Sequence, residues 1–240
     1  MTALYKKSKL WFAILWIIVY VIGMSAADGL SAAIGVEKCL SLPLLLLMSA
    51  VLLRWIIKQN LTQKFGLCPP IASAGKFLYY LPLAAMVSCN LWLGVRMNLT
   101  VLETALYVGC MLCVGLLEEL IFRGLLFTAM KESSLTAAVI VSSLTFGIGH
   151  IVNLFNGSGA ELPATLCQIV YATAAGFLFV MIFHRGGSLL PCILTHSILN
   201  ALSAFAVEPT LRWEIITALL LTALTLGYTL ILHKTLPKAE

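Results

Sequence analysis

Eight stretches of this chain run for some twenty residues with few charges: 10–27, 40–57, 77–93, 101–130, 135–152, 162–183, 189–207 and 213–232. A helix of about 20 mostly apolar residues crosses the hydrocarbon core of a bilayer. In lipid the backbone must satisfy its own hydrogen bonds, so runs of this length fold as helices. Soluble domains carry about 25% charged residues, whereas this chain has 10% charged and 61% hydrophobic residues. The sequence therefore predicts an all-α polytopic membrane protein of about eight transmembrane helices around a polar intramembrane cavity. Its 240 residues suit one membrane-embedded domain, 1–240, with no segment polar and long enough for a soluble one.

The formal net charge of +5 belongs to the loops and reads as an orientation signal, with no nucleic-acid partner implied. With the N-terminus in the cytosol, eleven Lys and Arg fall on cytosolic loops and three (Lys38, Arg96, Arg212) on outer ones. That bias supports an even number of spans with both termini cytosolic. The run 10–27 is longer than a signal-peptide core, so it reads as a retained first span. The seven cysteines are odd in number and scattered, which argues against a disulfide framework. Cys110-x-x-Cys113 reads as two small residues on one helix face.

Ionisable residues inside the membrane are costly and mark functional sites. The fourth run carries Glu118, Glu119 and Arg123. Residues four apart share a helical face, so Glu119 and Arg123 can neutralise each other. Glu118 points about 100° away and is free for another partner. A carboxylate in a low-dielectric pocket suits general-base work. His150 follows Phe146 by four residues, and with Gly147 and Gly149 beside it a neighbouring helix can approach closely. His196 and Asn200 share one face of the seventh run. An imidazole can act as acid, base or metal ligand, and an amide can donate to an oxyanion. Each pair alone is explained by helix packing; three pairs in separate spans point to a joint site. Helix-rise arithmetic allows a shared pocket near the middle or cytosolic half of the membrane. His184 and His233, beside Arg185 and Lys234 at cytosolic span ends, stand apart from it.

The ordered motifs Glu118-Glu119-x-x-x-Arg123, Phe146-x-x-x-His150 and His196-x-x-x-Asn200 resemble those of the CPBP family. These are the CAAX-protease and bacteriocin-processing intramembrane proteases, also called Abi proteins. The motif core spans 118–200, a third of the chain. The eight-span expectation is similar to the family's Rce1-type prenyl-protein endopeptidases, whose catalytic helices enclose a conical cavity. The resemblance implies hydrolysis of a peptide bond by water polarised by Glu118 with help from His150. It implies that His196 and Asn200 stabilise the oxyanion, and that Glu119 and Arg123 hold the helix and tune Glu118. The family is often labelled metalloprotease, and Glu118, His150 and His196 make a zinc ligand set. No H-E-x-x-H occurs, and a metal-free glutamate mechanism uses the same residues, so both stay open. The implied partners are membrane lipid and a membrane-associated peptide or protein in a bacterial cytoplasmic membrane. Two other readings keep the polar cluster without proteolysis: a non-catalytic membrane partner or immunity protein of the same fold, and a small transporter. Against the transporter, the chain shows no inverted repeat.

Overall fold

The computed structural model describes residues 1–70, 81–156 and 159–235. Among these it is helical apart from connections and one isolated antiparallel bridge, Val95 to Ala206. Six helices are long and apolar enough to cross a membrane: Lys9–Ile34, Ser41–Lys58, Val101–Lys131, Leu135–Leu154, Leu162–Gly186 and Leu211–Thr235. The protein is an integral membrane protein.

A short α1 (Thr2–Lys7) precedes α2 (Lys9–Ile34), which starts at Ser8, whose hydroxyl accepts from the Trp11 amide. The sequence ends this span at Ala27, one residue before a charge. The helix continues because Asp28 is neutralised by Lys38 at 2.9 Å and accepts from the Ser41 hydroxyl. It stops at Gly35, whose left-handed backbone (φ 81°) suits a residue without a side chain. α3 (Ser41–Lys58) returns, and α4 (Leu81–Ser88) is a short apolar helix that tightens into a 3-10 turn at Cys89–Leu91. The first residues of the expected 77–93 span, and Lys76, lie outside the described residues.

The fourth span is one continuous rod. α5 (Val101–Glu119) opens on a capping box between Thr100 and Glu103, passes through a π-helical stretch at Leu120–Phe127 and ends as α6 (Thr128–Lys131). The sequence requires the polar face of this run to be buried in protein, and Glu119 and Arg123 are both 0% exposed. α7 (Leu135–Gly149) runs into a 3-10 turn at His150–Leu154, followed by α8 (Leu162–Gly186), α9 (Leu190–Leu202) with a 3-10 turn at Ser203–Phe205, and α10 (Leu211–Thr235).

The expected seventh span is shorter than hydropathy suggests. Its helix starts deep, where the Leu189 amide donates to the Gly66 carbonyl and Ser188 Oγ to the Cys68 carbonyl. The connection after α3 thus caps α9 inside the protein. Helix alternation leaves two faces. One, the termini face, carries Met1, the end of α10 at Thr235 and the Lys9–Glu132–Lys64 bridge, 2.6 and 3.3 Å. The other carries the Glu37 amide donating to Glu103, and the Arg96 amide donating to the Phe205 carbonyl.

Two glycines let the motif-bearing helices touch their neighbours. A Cβ on Gly115 would sit 2.5 Å from the Ser197 nitrogen, and one on Gly147 would sit 2.8 Å from the Thr173 nitrogen. α5 therefore packs on α9, and α7 on α8, backbone to backbone, as small residues allow in membranes.

Candidate active site

Glu119 sits at the centre of a wholly buried cluster. Its Oε1 accepts from Arg123 Nη1 at 2.9 Å and faces His196 Nδ1 at 3.0 Å. The first contact is the pairing that the four-residue spacing predicts. A carboxylate only accepts, so Nδ1 of His196 carries the hydrogen. Nε2 of His196 then looks toward Glu118 Oε2 at 3.7 Å, beyond direct hydrogen-bond distance. The Arg123 guanidinium lies 4.0 Å from the centre of the Phe146 ring, a cation–π contact in a desolvated place. Phe146 also meets His150 and His196 edge to face, each with ring centres 5.5 Å apart. The phenylalanine of the second motif is the wall on which the other two motifs lean.

The π-helical turn is part of this arrangement. Widening to i→i+5 bonding releases carbonyls from the regular ladder, and such bulges gather at functional sites. Ser142 Oγ on α7 donates to the Phe122 carbonyl at 2.8 Å, tying the bulge to the helix that carries His150.

Glu118 is the less buried carboxylate, its side chain 13% exposed. Its Oε1 accepts from the Tyr20 hydroxyl at 2.6 Å. It lines a cavity of about 410 Å³ together with His150, Asn200, Phe146 and Tyr20. The cavity extends to Asp28, Lys38 and Tyr107. Burial pulls the Lys38 ammonium down, but the Asp28 carboxylate holds it above its ordinary value, so it stays charged at the mouth. A second cavity of about 250 Å³ adjoins the first and shares Cys89, Asn90 and Tyr171 with it.

Of the six residues singled out from the sequence, Glu118, His150 and Asn200 face the cavity. Glu119, Arg123 and His196 form the layer behind Glu118. His196 is 4% exposed and is not among the lining residues, because its ring is held by Glu119 and by Phe146 and Phe179. Among the described residues no three His, Cys, Asp or Glu side chains converge as a metal site. The Nδ1 contact to Glu119 leaves His196 Nε2, facing Glu118, available as a ligand, since a metal-bound histidine commonly holds a carboxylate through its other nitrogen.

The sequence reading missed Tyr20 and Asp28. Asp28 is a carboxylate just past an apolar run, which is a visible signal. Tyr20 has none, since its partner is 98 positions away. The inner end of the cavity, at Glu118 and Tyr20, lies near the middle of the fourth span and of α2, which helix-rise arithmetic allows; the rest of the lining extends toward the opposite face, which that arithmetic does not anticipate. His184 and His233 lie on the termini face, away from the cavity, where Arg185 Nη2 donates to the His233 carbonyl at 3.1 Å.

Residues 100–202 match the family model described as type II CAAX prenyl endopeptidase Rce1-like. The chain carries an Rce1-like domain. Its limits enclose all six residues above, from the cap of α5 to the end of α9. The match is consistent with a CPBP-family protease and points to proteolysis with a membrane-associated peptide or protein as substrate. Tyr20 and Asp28 lie outside the Rce1-like segment and reach its cavity from α2. No curated protein and no solved structure matches the chain.

Proposed function

We propose that this protein is an intramembrane endopeptidase whose general base is Glu118. The observation that carries the reading is the joint approach of Glu118, His150 and Asn200 to one cavity, with Glu118 gripped by Tyr20. Glu118 takes a proton from water as the water oxygen adds to the scissile carbonyl carbon. The carbonyl oxygen becomes an oxyanion, which accepts hydrogen bonds from the Asn200 amide and the His150 ring. Collapse restores the carbonyl and breaks the C–N bond, and the proton on Glu118 passes to the departing amine. A base and an oxyanion donor each contribute about two to four orders of magnitude in rate.

His196 belongs behind the base. It holds Glu119 through Nδ1 and presents Nε2 to Glu118, which aligns the two carboxylates. Glu119 and Arg123 hold the helix where its α-helical part meets the π-helical stretch and keep a neutral layer beneath the base. Every proton transfer in this scheme uses the chain's own groups. The excess of Lys and Arg on the termini face supports cytosolic termini.

The test compares the membrane and secreted peptidomes of cells carrying the wild-type protein or Glu118→Gln, with equal insertion checked by detergent melting. Products present with the wild type and absent with the variant are expected. Identical peptidomes from equally folded proteins reject catalysis and favour a non-catalytic membrane partner.

A further inference from the structure

The cavity has a direction. Toward the termini face it is closed by the π-helical stretch, where every residue from Leu120 to Phe127 is buried. Phe65 lies beneath Gly124, and Phe127 packs on Phe183 at 6.0 Å between ring centres. Glu118, Phe122 and Phe146 form the inner end. The remaining lining comes from the half of each helix nearer the other face and from its loops, including Lys38, Asn156 and Ala160. The adjoining cavity reaches the same face at Pro209 and Glu214.

Charge divides along the same axis. Among the described residues the face with the mouth holds six acids (Asp28, Glu37, Glu103, Glu161, Glu208, Glu214) and three bases (Lys38, Arg96, Arg212). Lys38 is already paired with Asp28. The termini face holds nine Lys and Arg and one acid, Glu132. Basic loops stay in the cytosol, so the mouth faces outward. An acidic rim attracts cationic ligands and repels anionic ones over roughly a Debye length of about 8 Å.

We propose that the substrate enters from the extracytoplasmic face and is a basic, membrane-associated peptide segment. The cleavage step rests on the endopeptidase reading, while the entry side and charge preference stand on the cavity and the rim. The segment lies against Glu161, Glu208 and Glu214, and its scissile bond reaches down to Glu118.

The test uses full-length Glu118→Gln protein, so that binding is read without hydrolysis. Spheroplasts, which expose the outer face, and inside-out vesicles from the same cells are offered a benzophenone-bearing Lys-rich amphipathic peptide or a matched Glu-rich one. In spheroplasts the Lys-rich peptide is expected to crosslink about fivefold more than the Glu-rich one. The advantage falls to near parity in the Glu161→Gln/Glu208→Gln/Glu214→Gln variant, inserted to the same level. Inside-out vesicles give only background. Equal crosslinking of both peptides, labelling from the cytosolic face, an unchanged advantage in the triple variant, or no crosslinking at all each overturns the proposal. Whether wild-type protein cuts the crosslinking peptide is scored separately and bears on the endopeptidase reading alone.

Discussion

Glu119 and Arg123 are each 0% exposed and 2.9 Å apart, so neither can lose its partner without stranding a charge in a medium that does not solvate it. Breaking a buried pair from one side costs about 3–5 kcal/mol. Arg123→Met is therefore expected to lower the unfolding free energy in detergent by about that much. The double variant Glu119→Gln/Arg123→Met is expected to recover part of the loss, because no lone charge remains. A second prediction concerns Tyr20, whose hydroxyl donates to the Glu118 carboxylate, the proposed base, at 2.6 Å. A hydrogen bond to a charged group is worth about 1.5–3 kcal/mol, so Tyr20→Phe should lower kcat about tenfold or more in a peptide-cleavage assay, with KM little changed. At this scale the sequence showed what lies four residues apart, which is how the Glu119–Arg123 pair was legible. It could not show Tyr20, since a tyrosine in an apolar run looks the same whether it faces lipid or a carboxylate from another helix.

The helices meet where side chains are smallest. A Cβ on Gly147 would press on the Thr173 backbone at 2.8 and 2.9 Å, so α7 would have to move off α8. Overpacking of this kind costs typically 1–3 kcal/mol. Gly147→Val is expected to lower the melting temperature and, by shifting His150, the cleavage rate, whereas Gly149→Ala, with open space around it, should change the melting temperature little. Most helices were readable as apolar runs, and the fourth was correctly carried through its charges to the far side. The length of α9 was not readable, because hydropathy reports apolarity and this helix is buried against protein as well as lipid. The π-helical turn left no mark either. The bond that accompanies it is tertiary, from Ser142 on another helix to the Phe122 carbonyl, and such a partner is not visible in the sequence.

Across the whole molecule, the first span and the end of the fourth are tied on the termini face by Glu132 between Lys9 and Lys64. The Lys9 hydrogen bond holds the Glu132 carboxyl below its ordinary value. A depressed folded-state pKa stabilises the fold above the unfolded value of about 4.3, and the gain is lost as pH falls through the folded value. Glu132 is 45% exposed, so screening limits the bridge to under about 1 kcal/mol. Glu132→Gln is expected to lower the melting temperature slightly at neutral pH and low salt. The difference should close in strong salt or at pH well below the carboxylate range. Overall architecture was legible from apolar runs. The direction in which the cavity extends was not, since it depends on which side chains of separate helices line it. The unbroken layer from Leu120 to Phe127 has one more effect. A buried layer of this kind bars water in the cavity from the termini face, so a wet chamber can sit in the membrane while the bilayer stays electrically insulated.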